Sequence, residues 1–345
     1  MTAPSYQAIG WAHGSCAAQQ LGAMIGPAVF VLPGGRQVSP LHVAPWAGAP
    51  GTDDLPGILR RMRGEWPCVP FGYSVPVMPD TPADWAPLLG PAEPDEQVHG
   101  HSSNQLWNWS GSGPDGSIAL HLDYPDDNPV RRVERVIRPD PDAPAIDFIL
   151  RIETRAACRL PLGLHFTFRL PEMPCAARIE TAPFRTGRTY PGTVEPGASA
   201  FAIGRLFNRL DAVPDRDGGT TDATHVPFDH PVEELLQLDG IAGTAALANT
   251  AENWRAGISW DADVFPSLLL WYSNRGRTAA PWNGRHMALG MEPICSPFGL
   301  GPATARADNP VSRSGTSTTR AFAAGETFET RYHLTVEPLV QGDSR

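Results

Sequence analysis

The sequence feature that most constrains the fold is an alternation of apolar and polar residues with a period of two. In the segment Ser117 to Tyr124, every second residue is apolar. The same alternation recurs over residues 146–153, 160–170 and 328–336. A period of two is typical of half-buried strands in antiparallel sheets. The chain is therefore predicted to be all-β.

Signals for helices are weak by comparison. Short helices are predicted only over residues 53–63, from Thr81 for a turn or two, and over residues 231–237, where aspartate or proline could begin them. Because no strong helical pattern separates the strands, a sandwich of antiparallel sheets is favoured over a parallel α/β sheet. The sequence contains no internal repeat or recognisable linker, so we predict a single domain over residues 1–345.

Composition excludes several classes of function. All 27 basic residues are arginine, and the absence of lysine rules out Schiff-base chemistry and a phosphate-loop lysine. The net charge is −10 and the arginines are scattered, so no nucleic-acid partner is expected. The five cysteines are widely spaced and predict neither a disulfide framework nor a zinc knot. The apolar run at residues 23–32 is short and broken by Gly26-Pro27, so we expect a cytoplasmic protein with no membrane partner.

The strand predicted at residues 160–170 carries a histidine on its polar face. Its apolar residues occupy every second position, so His165 points to the opposite face together with Gly163 and Thr167. The small Gly163 would leave room for another group to approach the imidazole. His165 is therefore a candidate acid or base, and a solvent-facing or hydrogen-bonded strand histidine is the alternative.

In the stretch 286–293 a carboxylate lies on the polar face of a predicted strand, as His165 does on its own strand. Met287, Leu289 and Met291 share one face, which places Glu292 on the other face with His286, Ala288 and Gly290. A carboxylate that is partly desolvated on such a face can act as a general base. An ordinary glutamate at a strand end is the alternative interpretation.

The third polar cluster, residues 98–109, contains His99 and His101 with one residue between them. On a strand, two imidazoles at this spacing would share one face and could bind a metal ion. A cupin-like site would have a glutamate where this sequence has Gln105, so our main prediction includes no metal ligand and no cofactor.

Tryptophan is abundant, with ten copies in the chain. A flat aromatic face stacks on the C–H face of a sugar ring, while neighbouring polar side chains bind the hydroxyls. Most tryptophans are expected in the core and one or two in a pocket. The candidate sugar-binding residues in these clusters are His101, Asn104, Trp107, Trp271 and Trp282.

These segments, in this order, resemble the aldose 1-epimerase (galactose mutarotase-like) family. His99-Gly100 followed by Trp107 is similar to the family's His-Gly segment that ends in tryptophan. Leu162 to Phe168 is similar to its Gly-Leu-His strand, and Leu289 to Pro293 to its late strand with the catalytic glutamate.

The resemblance implies a β-supersandwich of large antiparallel sheets with few short helices and a sugar site on a concave face. It also implies interconversion of the α and β anomers of a carbohydrate substrate without a cofactor. By position, His165 would be the acid that protonates the ring oxygen. Glu292 would be the base that takes the proton of the C1 hydroxyl, and His99 would hold the sugar.

The sequence also departs from the family pattern. Residues 101–103 stand where the family often has Phe-Ala-Arg, and its upstream Asn-Arg segment has no clear counterpart. Arg63 occupies the approximate place of that segment and is a candidate sugar ligand. Asp229 is the candidate for the substrate-binding aspartate that the family implies.

Two other functions stay open at this point. One is a non-catalytic carbohydrate-binding protein on the same scaffold, because a fold does not fix a function. The other is a metal-dependent sugar isomerase or lyase that uses His99, His101 and a further ligand. The sequence identifies neither the sugar nor the oligomeric state.

Overall fold

A computed structural model describes residues 5–339 of the chain, and strands dominate it. In chain order the strands are β1 (Tyr6–Trp11), β2 (Gly14–Gln19), β3 (Ile25–Val31), β4 (Gln37–Val38), β5 (Glu65–Cys68), β6 (Asn108–Ser112), β7 (Ile118–Asp123), β8 (Val130–Pro139), β9 (Ala145–Thr154), β10 (Cys158–Leu160), β11 (Leu162–Arg169), β12 (Ala177–Thr181), β13 (Thr186–Thr189), β14 (Leu206–Phe207), β15 (Val213–Pro214), β16 (Thr220–Thr221), β17 (His225–Val226), β18 (Val232–Asp239), β19 (Thr244–Asn249), β20 (Trp254–Trp260), β21 (Ser267–Asn274), β22 (Met287–Cys295), β23 (Arg320–Phe322) and β24 (Thr327–Pro338). The all-β prediction is confirmed.

Helices are few and short. They are α1 (Gly100–Asn104), α2 (Gly301–Arg306), α3 (Pro310–Arg313) and two 3₁₀ helices at Gly57–Arg60 and Ala86–Leu88. The helix predicted over residues 53–63 is reduced to one 3₁₀ turn. The prediction of a helix over residues 231–237 is wrong, because this segment belongs to β18, which pairs with a strand on each side. In the part of the chain that the structure describes, no helix is long and apolar enough to cross a membrane.

Nearly all of the strands belong to two large antiparallel sheets. The first has eleven strands in the order β1-β2-β3-β5-β11-β22-β21-β18-β13-β14, with β4 paired to β3. The second has nine strands in the order β17-β12-β19-β20-β24-β9-β8-β7-β6. The pairs β10-β23 and β15-β16 form two small separate sheets.

The two faces of the first sheet have different neighbours. On β11, Leu164, Phe166 and Phe168 belong to the core that joins the two large sheets. The opposite face carries a second apolar cluster that includes Trp66 and Trp271 and is covered by segments outside the strands. The alternation at residues 160–170 therefore predicts the two faces of β11 correctly, and the polar face is the one toward the second cluster.

A buried ion pair ties the two sheets together. Arg135 of β8 forms an ion pair with Glu65 of β5, and both side chains are fully buried. The Tyr332 hydroxyl donates to the other oxygen of Glu65 at 2.9 Å, and Arg135 also donates to the Ala23 carbonyl. Burial raises the pKa of Glu65, while the Arg135 charge opposes this rise. The ion pair thus fixes β5 against the second sheet at Glu65, the residue that precedes Trp66.

Candidate functional site

The strand register brings His165 and Glu292 together on one face of the first sheet. Strands β11 and β22 pair with Gly163 opposite Ile294 and Phe166 opposite Met291, so His165 and Glu292 lie between these pairs and face each other. The His165 Nε2 and Glu292 Oε1 atoms are 3.4 Å apart, and both side chains are almost completely buried. Two residues far apart in the sequence are therefore direct cross-strand neighbours.

Burial sets the protonation of this pair. It raises the pKa of Glu292 well above its ordinary value of 4.5. It lowers the pKa of His165 well below 6.5, and the neighbouring His99 lowers it further. The second carboxyl oxygen of Glu292 is buried without a hydrogen-bond partner among the residues that the structure describes. The pair is thus desolvated, and this oxygen is available to a ligand.

His99 approaches the same pair from a loop. It precedes α1 with a left-handed backbone (φ 57°), an uncommon conformation for a residue other than glycine. Its ring centroid lies 5.1 Å from that of His165 and 4.7 Å from that of Phe71. Burial lowers the pKa of His99 to about 4. The structure therefore brings the three predicted catalytic side chains together.

The surroundings of His165 differ from the expectation at Gly163. A Cβ atom on Gly163 would lie 2.2 Å from the Phe71 ring, so this ring, rather than open space, occupies the position beside the histidine. On the other side the Trp66 ring stacks on the imidazole, with centroids 4.0 Å apart. The Nδ1 atom of His165 is 3.2 Å from the Thr167 hydroxyl. The imidazole is consequently held by stacking on one face and by a contact at one nitrogen.

These residues line a cavity of about 430 Å³ on the first sheet, which we call the central cavity. Its polar wall comprises Tyr73, His99, His165, Tyr190, Thr193, Trp271, Arg277, Trp282 and Glu292. Its apolar wall comprises Ile58, Leu59, Met62, Val75, Pro76, Met78, Val98, Val194, Leu235, Leu269 and Phe298. The volume is within the range of small-molecule sites, roughly 300–1,000 Å³.

The wall of the central cavity also contains Arg277, which pairs with a buried carboxylate next to the predicted tryptophans. Arg277 lies 3.1 Å from the buried Glu233, and its guanidinium is 4.6 Å from the centroid of the Trp282 ring. Glu233 also accepts hydrogen bonds from the Trp271 indole at 2.6 Å and from the Ser273 hydroxyl at 3.0 Å. Burial raises the pKa of Glu233, and the charge of Arg277 opposes the rise. Glu233 thereby fixes both the arginine and Trp271 in the wall.

Solved structures with the same architecture cover almost the whole chain at low sequence identity. A candidate aldose 1-epimerase from Escherichia coli K12 is 14% identical, with a TM-score of 0.64 over 98% of this chain and 100% of that one. A galactose mutarotase-like protein from Lactobacillus casei is 14% identical, with a TM-score of 0.59 over 96% and 100%. An aldose epimerase homologue from C. elegans is 12% identical, with a TM-score of 0.62 over 98% and 100%.

The chain has the galactose mutarotase-like fold. The resemblance predicted from the sequence motifs is thus confirmed at the level of the fold. Protein-family models and the sequences of curated proteins give no match to this chain. The chain therefore shares its architecture with these proteins but little of their sequence. The roles of its individual residues must be argued from the geometry of the site.

Within this fold, two of the predicted sugar ligands line the central cavity and two others are structural. Trp271 and Trp282 are in its wall, with ring centroids 6.0 Å apart. Trp107 lies outside it, is completely buried and donates its indole N–H to the Ser102 carbonyl at 2.8 Å. Arg63 also lies outside the central cavity and is buried. Its guanidinium donates hydrogen bonds to the carbonyls of Gly26 and Arg61.

The remaining predicted ligands lie beside the central cavity or away from it. The Asn104 amide donates to the Val98 and Gly100 carbonyls at 2.8 and 2.7 Å, and its oxygen accepts from the Ile58 N–H. Asp229 is exposed and pairs with its neighbour His230 on the surface. Asp229 therefore does not line the central cavity.

The His-x-His spacing does not produce a pair of metal ligands. His101 is in α1 rather than on a strand, and its ring contacts Tyr124, with centroids 4.7 Å apart. His99 instead contacts His165 and Phe71, so the two imidazoles have different surroundings. Among residues 5–339, no group of three or more histidine, cysteine, aspartate or glutamate side chains is arranged to hold a metal ion.

Sequence reasoning missed two residues that shape the site. Arg277 is the arginine of the central cavity, a place for which Arg63 was the candidate. Its signal was its position between Trp271 and Trp282, both of which were predicted to bind sugar. Glu233 was hidden because its segment was interpreted as a helix, whereas in β18 it points to the same face as Leu235 of the cavity wall.

Proposed function

We propose that this protein interconverts the α and β anomers of an aldose by acid–base catalysis. The observation that carries the proposal is the distance of 3.4 Å between His165 Nε2 and Glu292 Oε1 in the wall of a cavity large enough for a sugar. His165 acts as the acid toward the ring oxygen, and Glu292 acts as the base toward the C1 hydroxyl. His99 holds the sugar beside them.

The reaction is balanced in protons. His165 donates a proton to the ring oxygen while Glu292 accepts the proton of the C1 hydroxyl, and the bond between C1 and the ring oxygen breaks. The open-chain aldehyde then rotates about its C1–C2 bond. Closure on the other face returns both protons to their donors. The steps require no cofactor, because one proton is given and one is taken.

The electrostatics of the pair support this proton exchange. The raised pKa of Glu292 and the lowered pKa of His165 correspond to an empty site in which the pair holds one proton, on Glu292, and has no net charge. The proposed ring opening starts from the other tautomer of the same pair, with this proton on His165, and it needs no additional proton. Ring opening through the sugar moves that proton from one partner to the other, so the cavity gains no net charge during the reaction. A buried site favours such an exchange because charge separation in a low dielectric is costly.

The direct test is the rate of anomer exchange, measured by saturation-transfer NMR over a panel of aldoses and sugar phosphates. We expect exchange above the spontaneous rate for at least one sugar. If the sugars bind but none exchanges faster than in buffer, the protein is a carbohydrate-binding protein on this fold and the proposal is wrong.

The pH dependence of the rate follows from the same pKa shifts. At low pH the pair gains a second proton on His165, and because the pKa of His165 is lowered, activity is lost only below pH 6.5. At high pH the pair loses its single proton, and because the pKa of Glu292 is raised, this loss occurs well above pH 4.5. The expected profile of kcat/KM is a bell whose acid limb lies below pH 6.5 and whose alkaline limb lies well above pH 4.5. An acid limb centred at or above pH 6.5 would contradict these protonation states.

A further inference from the structure

One part of the central cavity wall is aliphatic. Ile58 and Leu59 lie in the first 3₁₀ helix, Val75 and Met78 follow β5, and Val98 precedes His99. These side chains offer neither hydrogen bonds nor a flat ring on which a sugar could stack. An unsubstituted aldose would bury hydroxyl groups against them without partners, and such burial is unfavourable. This wall is therefore suited to hydrocarbon.

Several polar groups of the wall are already engaged within the protein. The Trp271 indole donates to Glu233. The Thr193 hydroxyl donates to Asp80 at 2.7 Å and accepts from Arg216 at 3.1 Å. Arg277 is neutralised by Glu233, so it adds little net positive charge for an anionic substituent such as a phosphate.

A second cavity adjoins the first and continues its apolar character. This side cavity has a volume of about 420 Å³ and shares Ile58, Leu59, Tyr73, Val98, Arg277 and Trp282 with the central cavity. Its remaining wall comprises Pro56, Gly57 and three polar residues, Glu96, Gln97 and Asn104, whose side chains form hydrogen bonds within the protein. Val98 is 42% exposed although it lines both spaces. A ligand in the central cavity can therefore extend past Val98 along an apolar surface.

We infer that the substrate is a reducing sugar that carries an apolar substituent at a position away from its anomeric carbon, an inference that rests on the proposed function. The sugar ring lies at His99, His165 and Glu292, where the polar groups are concentrated. The substituent lies against Ile58, Leu59 and Val98 and extends toward the side cavity. The chemical class is thus an alkylated, acylated or arylated aldose with a free C1 hydroxyl.

The test compares sugars that differ only in this substituent. The probes are the 4-O-hexyl and 6-O-hexyl ethers of glucose and of galactose, each beside its parent sugar and with glucose 6-phosphate as the anionic comparison. We expect kcat/KM for anomer exchange of at least one ether to exceed that of its parent sugar by about tenfold or more, because burying two methylenes is worth roughly that factor. Ethers that react no faster than their parents, or glucose 6-phosphate as the preferred substrate, would overturn the inference.

Two variants test whether the apolar substituent lies against Val98. Val98→Ser is expected to reduce the ratio of kcat/KM between the preferred ether and its parent sugar by about threefold, since it removes apolar surface that lines both cavities. Leu206→Ser is the matched control, because Leu206 is 61% exposed on β14 and lies outside both cavity walls. This control should leave the ratio unchanged. An equal fall of the ratio in both variants would contradict the placement of the substituent.

Direct binding separates this inference from the proposed function. If an ether binds more tightly than its parent by titration calorimetry but neither exchanges anomers above the spontaneous rate, the proposed function fails and the preference for an apolar substituent stands. If parent sugars exchange rapidly and the ethers show neither tighter binding nor faster exchange, the function stands and the inference fails. If no sugar binds or reacts, both are overturned.

Discussion

Glu292→Gln is expected to lower kcat for anomer exchange by a factor of about 10² to 10⁴, which is the usual contribution of a positioned acid or base. Glutamine has nearly the shape of glutamate, so it preserves the packing against Gly290 in the first sheet. It cannot accept the proton of the C1 hydroxyl. Sugar affinity should therefore change much less than kcat does.

The measurement is saturation-transfer NMR of the sugar that the wild-type protein converts fastest, with affinity followed by calorimetry. Glu234→Gln is the matched control, because Glu234 is also a buried carboxyl group but accepts hydrogen bonds from the backbone of Ala200 and Phe201 outside the central cavity. Its kcat should stay near the wild-type value in folded protein. Retention of wild-type kcat in Glu292→Gln would exclude Glu292 as the base.

The second large effect is expected on stability rather than on catalysis. Arg135→Met should lower the free energy of unfolding by about 3–5 kcal/mol, because it leaves Glu65 buried without its charged partner between the two sheets. The double variant Glu65→Gln with Arg135→Met should recover much of this loss, since no uncompensated charge is then buried. The amide oxygen of the new glutamine can still accept the hydrogen bond of Tyr332.

Denaturant unfolding followed by tryptophan fluorescence measures these differences. Arg209→Met is the matched control, because the pair of Arg209 with Asp211 is well exposed to solvent. Such a surface pair is worth about 0–1 kcal/mol. A loss in Arg135→Met no larger than in Arg209→Met would mean that the buried pair contributes little to joining the sheets.

The sequence predicts the strands well, and the face on which each of His165 and Glu292 lies, because both depend on local alternation. The period of two places His165 opposite the apolar face of β11, and the same rule places Glu292 opposite Met291 on β22. The two polar faces then coincide because they belong to neighbouring strands of one sheet. Alternation within one strand carries no information about which strands are its neighbours. The expectation that these two strands meet came from the family resemblance, in which the same segments occur in the same order.

The parts that sequence reasoning missed depend on long-range contacts. The proline and glutamates at residues 231–234 have helix-start character, yet pairing with β13 and β21 makes this segment a strand. The space beside Gly163 is filled by Phe71, which arrives from a different part of the chain. The position of Arg277 in the cavity wall likewise depends on its ion pair with Glu233, which no local sequence pattern reveals.

The cross-strand origin of the His165–Glu292 pair links function to the course of folding. Between β11 and β22 the chain crosses to the second sheet three times, at β12, at β17 and at β19–β20, and each time returns to the first, at β13–β14, at β18 and at β21. Contacts between segments this distant in sequence carry a large loop-closure cost and raise the contact order, which slows folding. Under the proposed function, anomer exchange is consequently absent from any partly folded state in which β22 has not yet docked, and its recovery after refolding would report that long-range event.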